Sequence, residues 1–424
     1  MFIIYNLVYL ILAIIYLPYF LFRTVKNRKY AEGFFMRFGS LPAEKIDSPI
    51  WLHAVSVGEI RGAESLIIAL QNEFPAHSLV VSTVTQTGNQ MAREILARDK
   101  VIYLPFDFSW IVRKVVNKIR PIFFLTFETE IWPNLINYLF KKNVPIALVN
   151  GRISLSSFKG YKKVRWLLKI ILSRINLFCM QTALDRERII SLGAPPERVK
   201  VIGNMKFDQP RLGQFSSSDP EELKSLLKLE SGNELFVAGS THNGEEQIVL
   251  EVYRNLNRRF PNLRLLIAPR HPERTPQIER LVARYGFEPA RISQLPGYPV
   301  YHSPVFILDT IGQLRLIYNL ATVVFVGGSL LPRGGHNPIE PAILAKPIIF
   351  GPHFFNFQDV SDMLIASKGA VLVKDSLELE ETVVKLLSEP SERLALGQRA
   401  KEVVNRNLGA TNRCIKLIKE KIII

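Results

Sequence analysis

Short apolar, β-leaning runs alternate with helix-period segments along almost the whole chain, and that alternation leaves little choice of fold. In the first half the strand candidates are Ile50–Ser56, Ser78–Val84, Val101–Pro105, Ile122–Phe127, Pro145–Asn150, Leu177–Gln181 and Val199–Gly203. Helical patterns separate them, among them Ile60–Asn72, Gly88–Ala97 and Trp132–Phe140. Residues 208–232 are rich in Ser, Pro and Asp and read as a linker. The alternation then restarts with Leu235–Gly239, Leu263–Ala268, Val305–Leu308, Thr322–Val326, Pro347–Phe350 and Ala370–Val373. Repeated βα units require a parallel sheet covered by helices on both faces. The chain is therefore expected to be α/β, with two doubly wound Rossmann-like domains, 49–207 and 233–390, facing across a cleft. Its 424 residues suffice for both. A long last helix, about Ser391 to Lys421 in the segment 391–424, is expected to run back across that cleft.

The stretch Pro49–Ala63, P-I-W-L-H-A-V-S-V-G-E-I-R-G-A, carries the first chemistry. Ile50 to Ser56 has the look of a buried parallel strand, Gly58 turns the chain, and Ala63, Leu66, Ile67 and Leu70 recur at helical spacing. Glu59 thus falls where a strand becomes a helix. In open α/β sheets that edge is where ligands bind. The positive end of the helix dipole favours an ionised carboxylate there, and an ionised, partly open carboxylate can serve as a general base. The plainer reading is that Glu59 only stabilises the first helical turn.

Charge is unevenly spread. Residues 1–211 hold 29 Lys and Arg against 15 Asp and Glu, or +14; the rest of the chain holds 25 against 23, or +2. The first half is therefore expected to face something anionic, either nucleic acid or a lipid surface. Phe2 to Phe22 is an uncharged run of bilayer-spanning length, followed by Arg23, Lys26, Arg28 and Lys29. A cleaved secretory signal would place its positive charge before the apolar run. The expectation is an uncleaved membrane anchor over 1–22 and a basic flank and link over 23–48, with the rest of the chain cytoplasmic. Asn6 and Pro18 leave an interfacial helix open as an alternative to a spanning one. Phe158 to Ile175 is a basic amphipathic pattern. It reads as a helix packed on its own domain or as a second membrane contact. Cys179 and Cys414 sit in apolar surroundings and exclude a disulfide framework.

P-loop, dinucleotide-fingerprint, zincin, C-x-x-C and nucleophile-elbow motifs are all absent. Glu128-Thr-Glu130 is too sparse to argue for a metal. Polar and glycine residues instead gather after the strands: Glu59, Thr83–Gly88, Glu128–Trp132 and Asn150–Ser154 in the first domain; Gly239-Ser-Thr-His242, Ala268-Pro-Arg-His271, Gly327-Gly-Ser329 and Gly334-Gly-His-Asn-Pro-Ile-Glu340 in the second. Asn337 can cap a helix with Pro338 in its first turn, and Arg270 and Lys206 can neutralise a phosphate. An anion site in one domain and a carboxylate base in the other is the layout of a nucleotide-sugar glycosyltransferase.

The runs W-L-H-A-V-S-V-G-E, F-E-T-E-I-W-P, V-N-G-R-I-S, G-N-M-K-F-D, A-G-S-T-H-N-G-E-E, A-P-R-H-P-E-R and G-G-H-N-P-I-E-P, in that order, resemble those of 3-deoxy-D-manno-octulosonic acid (Kdo) transferases. The resemblance covers essentially the whole chain. It implies a GT-B fold and transfer of Kdo from CMP-Kdo to a lipid A precursor on the cytoplasmic side of the inner membrane, beside an anionic lipid surface. It implies Glu59 as the base on the acceptor hydroxyl, with Glu128 and Lys206 stabilising the transition state. It places CMP against Pro269 and Arg270, against Gly312, Gln313 and Leu314, and against Asn337, Pro338, Ile339 and Glu340. The family often has an acidic residue where Gln313 stands. No metal, other cofactor or nucleic-acid partner is implied. The alternatives are another two-domain nucleotide-sugar enzyme, such as a UDP-sugar transferase or a 2-epimerase, and a non-catalytic membrane-associated nucleotide-binding module.

Overall fold

The computed structural model describes residues 2, 4–11, 13–15, 33–41, 48–97, 100–208, 223–225, 227, 229, 232–297 and 304–422. The second half of the expected anchor, its basic flank to residue 32 and most of the linker lie outside these. The chain divides into two compact units, residues 1–210 with 407–424, and residues 211–406.

Unit 1 is built on seven parallel strands: β1 (Ile50–His53), β2 (Leu79–Thr83), β3 (Val101–Tyr103), β4 (Phe123–Phe127), β5 (Ile146–Gly151), β6 (Leu177–Met180) and β7 (Val199–Val201), in the order β3-β2-β1-β4-β5-β6-β7. Ile50 pairs with Leu79 on one side and Phe123 on the other. Successive strand side chains point to opposite faces, and both faces are buried. Ile50 and Leu52 pack with Leu66, Ile67 and Ile418, while Trp51 packs with Phe124, Ile111 and Ile171.

Unit 2 repeats the plan with β8 (Glu234–Thr241), β9 (Leu263–Pro269), β10 (Pro289–Arg291), β11 (Val305–Ile307), β12 (Val323–Val326), β13 (Ile348–Phe350) and β14 (Ala370–Leu372), ordered β10-β11-β9-β8-β12-β13-β14. Its core joins Phe236, Ala238 and Phe325 to Val249, Tyr253 and Leu386. In each sheet the chain starts in the middle, winds to one edge, then returns to wind to the other. The switch points lie between β1 and β4 and between β8 and β12, and such points open a crevice beyond the strand ends.

Three expectations are corrected. β10 has no counterpart among the strand candidates, because it is three residues long and begins with proline, which only a sheet edge tolerates. The long last helix is two helices, Pro390–Asn407 and Ala410–Lys421, broken at Gly409 with φ 80°. The second of these caps and fills unit 1: Asp208 accepts from Gly409 N and Thr411 N at 2.6 Å each, and Cys414, Ile415 and Ile418 enter the core. The amphipathic segment after Phe158 is likewise divided, into Leu155–Lys163 and Arg165–Leu172.

Candidate active site

β1 ends at His53, and the chain turns through Ala54–Ser56 into the helix Val57–Glu73. Glu59 stands in its first turn. Its Oε2 accepts from Val55 N at 2.8 Å and its Oε1 from Ser56 Oγ at 3.2 Å. The carboxylate therefore does secure the helix start, and the same bonds hold it at the sheet edge. Across the switch point, Glu128 follows β4 with φ 58°. A non-glycine residue in that region stores of order 1–3 kcal/mol of strain and is characteristic of functional sites.

Glu128 Oε1 pairs with Lys206 Nζ at 3.1 Å. The lysine is placed by two buried amides: Asn150 Oδ1 accepts from Met205 N at 2.9 Å, and Asn204 Oδ1 accepts from Lys206 N at 3.0 Å. Gly62, one turn beyond Glu59, makes room for it. A Cβ there would come within 3.1 Å of Lys206 Cγ and 3.2 Å of Cε. Glu59, Glu128 and Lys206, scattered over 148 positions of sequence (206 − 59 + 1), thus meet in one place.

The electrostatics differ from the expectation of an ionised Glu59. Burial, then the Glu128 carboxylate, push the Glu59 carboxyl up to about 8, with Glu130 adding to the rise; the bonds from Val55 and Ser56 oppose it. Desolvation of the carboxyl and the Glu128 charge together outweigh the helix dipole. Glu130 is also raised, by burial and by Glu128. Among the described residues no group of three or more His, Cys, Asp or Glu is placed to hold a metal ion.

In unit 2 the three expected nucleotide segments follow strand ends of one sheet. Pro269 closes β9, and Arg270 N donates to Thr241 O at 3.0 Å while its guanidinium stays exposed. Gly312 takes φ 92° in open space beyond β11. Gln313 accepts from Thr310 Oγ1 at 2.6 Å, and Leu314 opens the helix Leu314–Leu320. After β12, Asn337 Oδ1 accepts from Ile339 N at 3.0 Å and its Nδ2 donates to Glu340 Oε1 at 3.2 Å. Pro338 and Ile339 are buried at the start of the short helix Ile339–Ile343.

The family model of 3-deoxy-D-manno-octulosonic-acid transferases matches residues 32–209. A 3-deoxy-D-manno-octulosonic acid transferase of Haemophilus influenzae is 35% identical over 403 residues, 93% of this chain and 93% of the relative. The chain belongs to the Kdo transferase family. The Kdo transferase of Chlamydia pneumoniae is 30% identical and spans 99% of this chain and 96% of its own length. Among solved structures, UDP-GlcNAc 2-epimerase from Neisseria meningitidis, bound to UDP-GlcNAc, covers 88% of this chain with a TM-score of 0.55 and 12% identity, a likeness of fold.

Sequence reasoning about this Kdo transferase overlooked Glu245. That residue is fully buried, and its carboxylate gathers four backbone donors: His242 N (2.9 Å), Gly328 N (2.6 Å), Ser329 N (2.9 Å) and Leu330 N (3.1 Å). It ties the end of β8 to the turn after β12, across the switch point. An acidic pair in a first helical turn, Glu245-Glu246, looks like ordinary dipole compensation in the sequence. Only the fold reveals that both are buried, and that Glu245 takes its partners from the backbone of two separate segments.

At the N-terminus, helical residues 4–11 and 13–15 lie along unit 1. Tyr5 Oη donates to Asp107 Oδ2 at 3.0 Å, Asn6 Nδ2 to Ser109 Oγ at 2.6 Å, and the Tyr9 ring meets Phe108 edge-on at 4.8 Å. Ile4, Leu7, Val8, Ile11 and Ile15 are left exposed, Ile15 by 69%. Among the described residues no helix is long and apolar enough to cross a membrane.

Proposed function

We propose that the protein is an inverting, metal-independent transferase that moves Kdo from CMP-Kdo to a lipid A precursor, with Glu59 as general base. The acceptor hydroxyl oxygen attacks the anomeric carbon, the bond from that carbon to the phosphate oxygen breaks, and the electron pair leaves with CMP. The hydroxyl proton passes to the Glu59 carboxylate. Glu128 stabilises the oxocarbenium-like carbon, and Lys206 holds Glu128 in place and supplies positive charge. CMP is bound by unit 2, through the segments 269–270, 312–314 and 337–340. The observation that carries this reading is the meeting of Glu59 with the Glu128–Lys206 ion pair at the switch point of unit 1, in a member of this family.

A base of pKa about 8 acts only when deprotonated, so the rate gains with rising pH. kcat/KM for the acceptor is expected to rise about tenfold between pH 7 and pH 9 and then level. A profile flat over that range would remove Glu59 as the titrating base.

The second element of the proposal is attachment at the cytoplasmic face of the inner membrane, with the N-terminal helix in the plane of the bilayer surface. Tyr5, Asn6 and Tyr9 bind it to unit 1 along one face, which suits an interfacial helix better than a spanning one. Exposed Trp166 and Ile170, set among Lys162, Lys163 and Lys169, offer a further apolar and basic contact. Leu7, Leu10, Ile14, Phe38, Phe108 and Trp110 line a groove of about 650 Å³, apolar space suited to an acyl chain of the acceptor. Replacing both Ile4 and Ile11 by Glu is expected to weaken sedimentation with phosphatidylglycerol vesicles at least tenfold, at about 1.5–3 kcal/mol per buried Ile side chain. Undiminished sedimentation of that variant would take the helix out of the contact.

A further inference from the structure

β8 and β12 flank the switch point of unit 2, and each delivers a histidine there. His242 follows β8 directly, and His336 lies in the glycine-rich loop after β12. Their Nε2 atoms are 2.8 Å apart, with the rings 10° from parallel and centroids 5.1 Å apart. The seat is built for them. Gly328 has φ 71°, and a Cβ on it would come within 2.9 Å of His336 Cδ2 and 3.4 Å of His242 Cδ2, so only glycine lets both rings rest there. Gly335 N donates to Gly328 O at 2.6 Å and closes the loop under His336. The buried Glu245 holds both backbones, through His242 N and through the turn Gly328–Leu330.

Two imidazoles joined Nε2 to Nε2 share one proton: one nitrogen donates and the other accepts. The neutral pair carries a second proton on the accepting ring's Nδ1; one further proton turns it into a cation with an N–H on both Nδ1 atoms. Resting on the proposed function of unit 2, we infer that the His242–His336 pair is an oxyanion site for the nucleotide sugar, and that it takes up a proton when the donor binds. The oxyanion is either the nucleotide phosphate or the carboxylate of the transferred sugar.

The surroundings support this coupling. Arg274 and His271 come from the segment after β9, and the His271 ring stands edge-on to His242 at 5.9 Å. Arg333 comes from the loop that carries His336. Glu246, on the helix Glu245–Arg259, is taken up by Arg274 Nη1 at 2.7 Å and by Thr241 Oγ1 at 3.0 Å. Burial, then His271 and Arg333, hold His242 below the usual histidine range, with Arg274 adding and Glu246 opposing. While the site is empty, burial and the neighbouring cations thus disfavour a further proton on His242. An arriving oxyanion offsets those cations and brings protonation of the pair within reach.

The test is calorimetric titration of the full chain with CMP, and separately with CMP-Kdo, at pH 7.5 in buffers of different ionisation enthalpy. At that pH the CMP phosphate has already lost its second proton. The expected result is a net uptake approaching one proton per nucleotide, with affinity falling up to tenfold per pH unit above neutrality. Uptake with CMP alone assigns the phosphate; uptake only with CMP-Kdo assigns the carboxylate; either supports the inference. The double variant His242→Gln, His336→Gln is expected to lose the uptake and bind at least tenfold more weakly. His271→Gln is expected to keep the uptake and the single variant His242→Gln to lose it, which locates it if the double variant does not fold; uptake retained in a folded His242→Gln overturns the inference. Binding without proton uptake overturns the inference and leaves the transferase reading standing, as does uptake that survives in the folded double variant. Absence of CMP and CMP-Kdo binding at every pH would instead sink the transferase reading itself.

Discussion

Glu59→Gln is expected to abolish Kdo transfer while leaving CMP affinity unchanged. The amide keeps the size of the side chain and an oxygen that can accept from Val55 N, so the start of the helix Val57–Glu73 is preserved. What it cannot do is take a proton. CMP is a competent leaving group, so deprotonation of the acceptor is the step for which the protein must supply a group. Losing general-base assistance costs about 10²–10⁴ in rate. The base is unusually strong for a carboxylate, since its conjugate acid titrates near 8, which places the variant toward the upper end. CMP release in the presence of acceptor measures the first half of the expectation, and calorimetry with CMP the second. Turnover within threefold of the parent would show that another group removes the proton.

Glu245→Ala is expected to cost about 3–5 kcal/mol of unit 2 stability and to erase CMP binding. The substitution strips the acceptor from four backbone N–H groups at once, those of His242, Gly328, Ser329 and Leu330. Each buried donor left without a partner costs about 1–3 kcal/mol, tempered where water can follow into the vacated space. The turn after β12 would lose its hold on the end of β8, and the glycine-rich loop would lose its shape with it. A urea titration that follows unit 2 would read the loss as a lowered midpoint with little change in slope. Parental stability together with parental CMP affinity would show that the loop is held by its glycines alone.

The strand–helix alternation was readable from periodicity because both sheets are parallel and buried on both faces. Runs such as Val323–Val326 and Ile348–Phe350 are apolar throughout and stand out against their helices. The edge strand Pro289–Arg291 carries no such run and left no trace. Glu59 and Glu128 were legible as candidates because each follows a strand. Their mutual effect was not, since the sequence does not show that Lys206 folds back over Gly62 or that burial dominates the helix dipole. Glu245 and the histidine pair depend on contacts between segments more than 80 positions apart, as His242 and His336 are (336 − 242 = 94). No local pattern encodes those. The break at Gly409 was hidden because the apolar spacing continues on both sides of it.

Because the helix Ala410–Lys421 belongs to the core of unit 1, the half made first by the ribosome is finished last. Until Cys414, Ile415 and Ile418 emerge, the core formed by Ile60, Leu66 and Ile67 with the sheet is incomplete, and Asp208 has nothing to cap. Unit 2 is one unbroken stretch of chain and depends on no late arrival. Maturation is thus expected to run against chain order: the nucleotide-binding half closes early, while the half bearing Glu59 waits for the helix Ala410–Lys421. A nascent chain that stalls before Ala410 would carry a formed donor domain and an acceptor domain still open to chaperones and proteases.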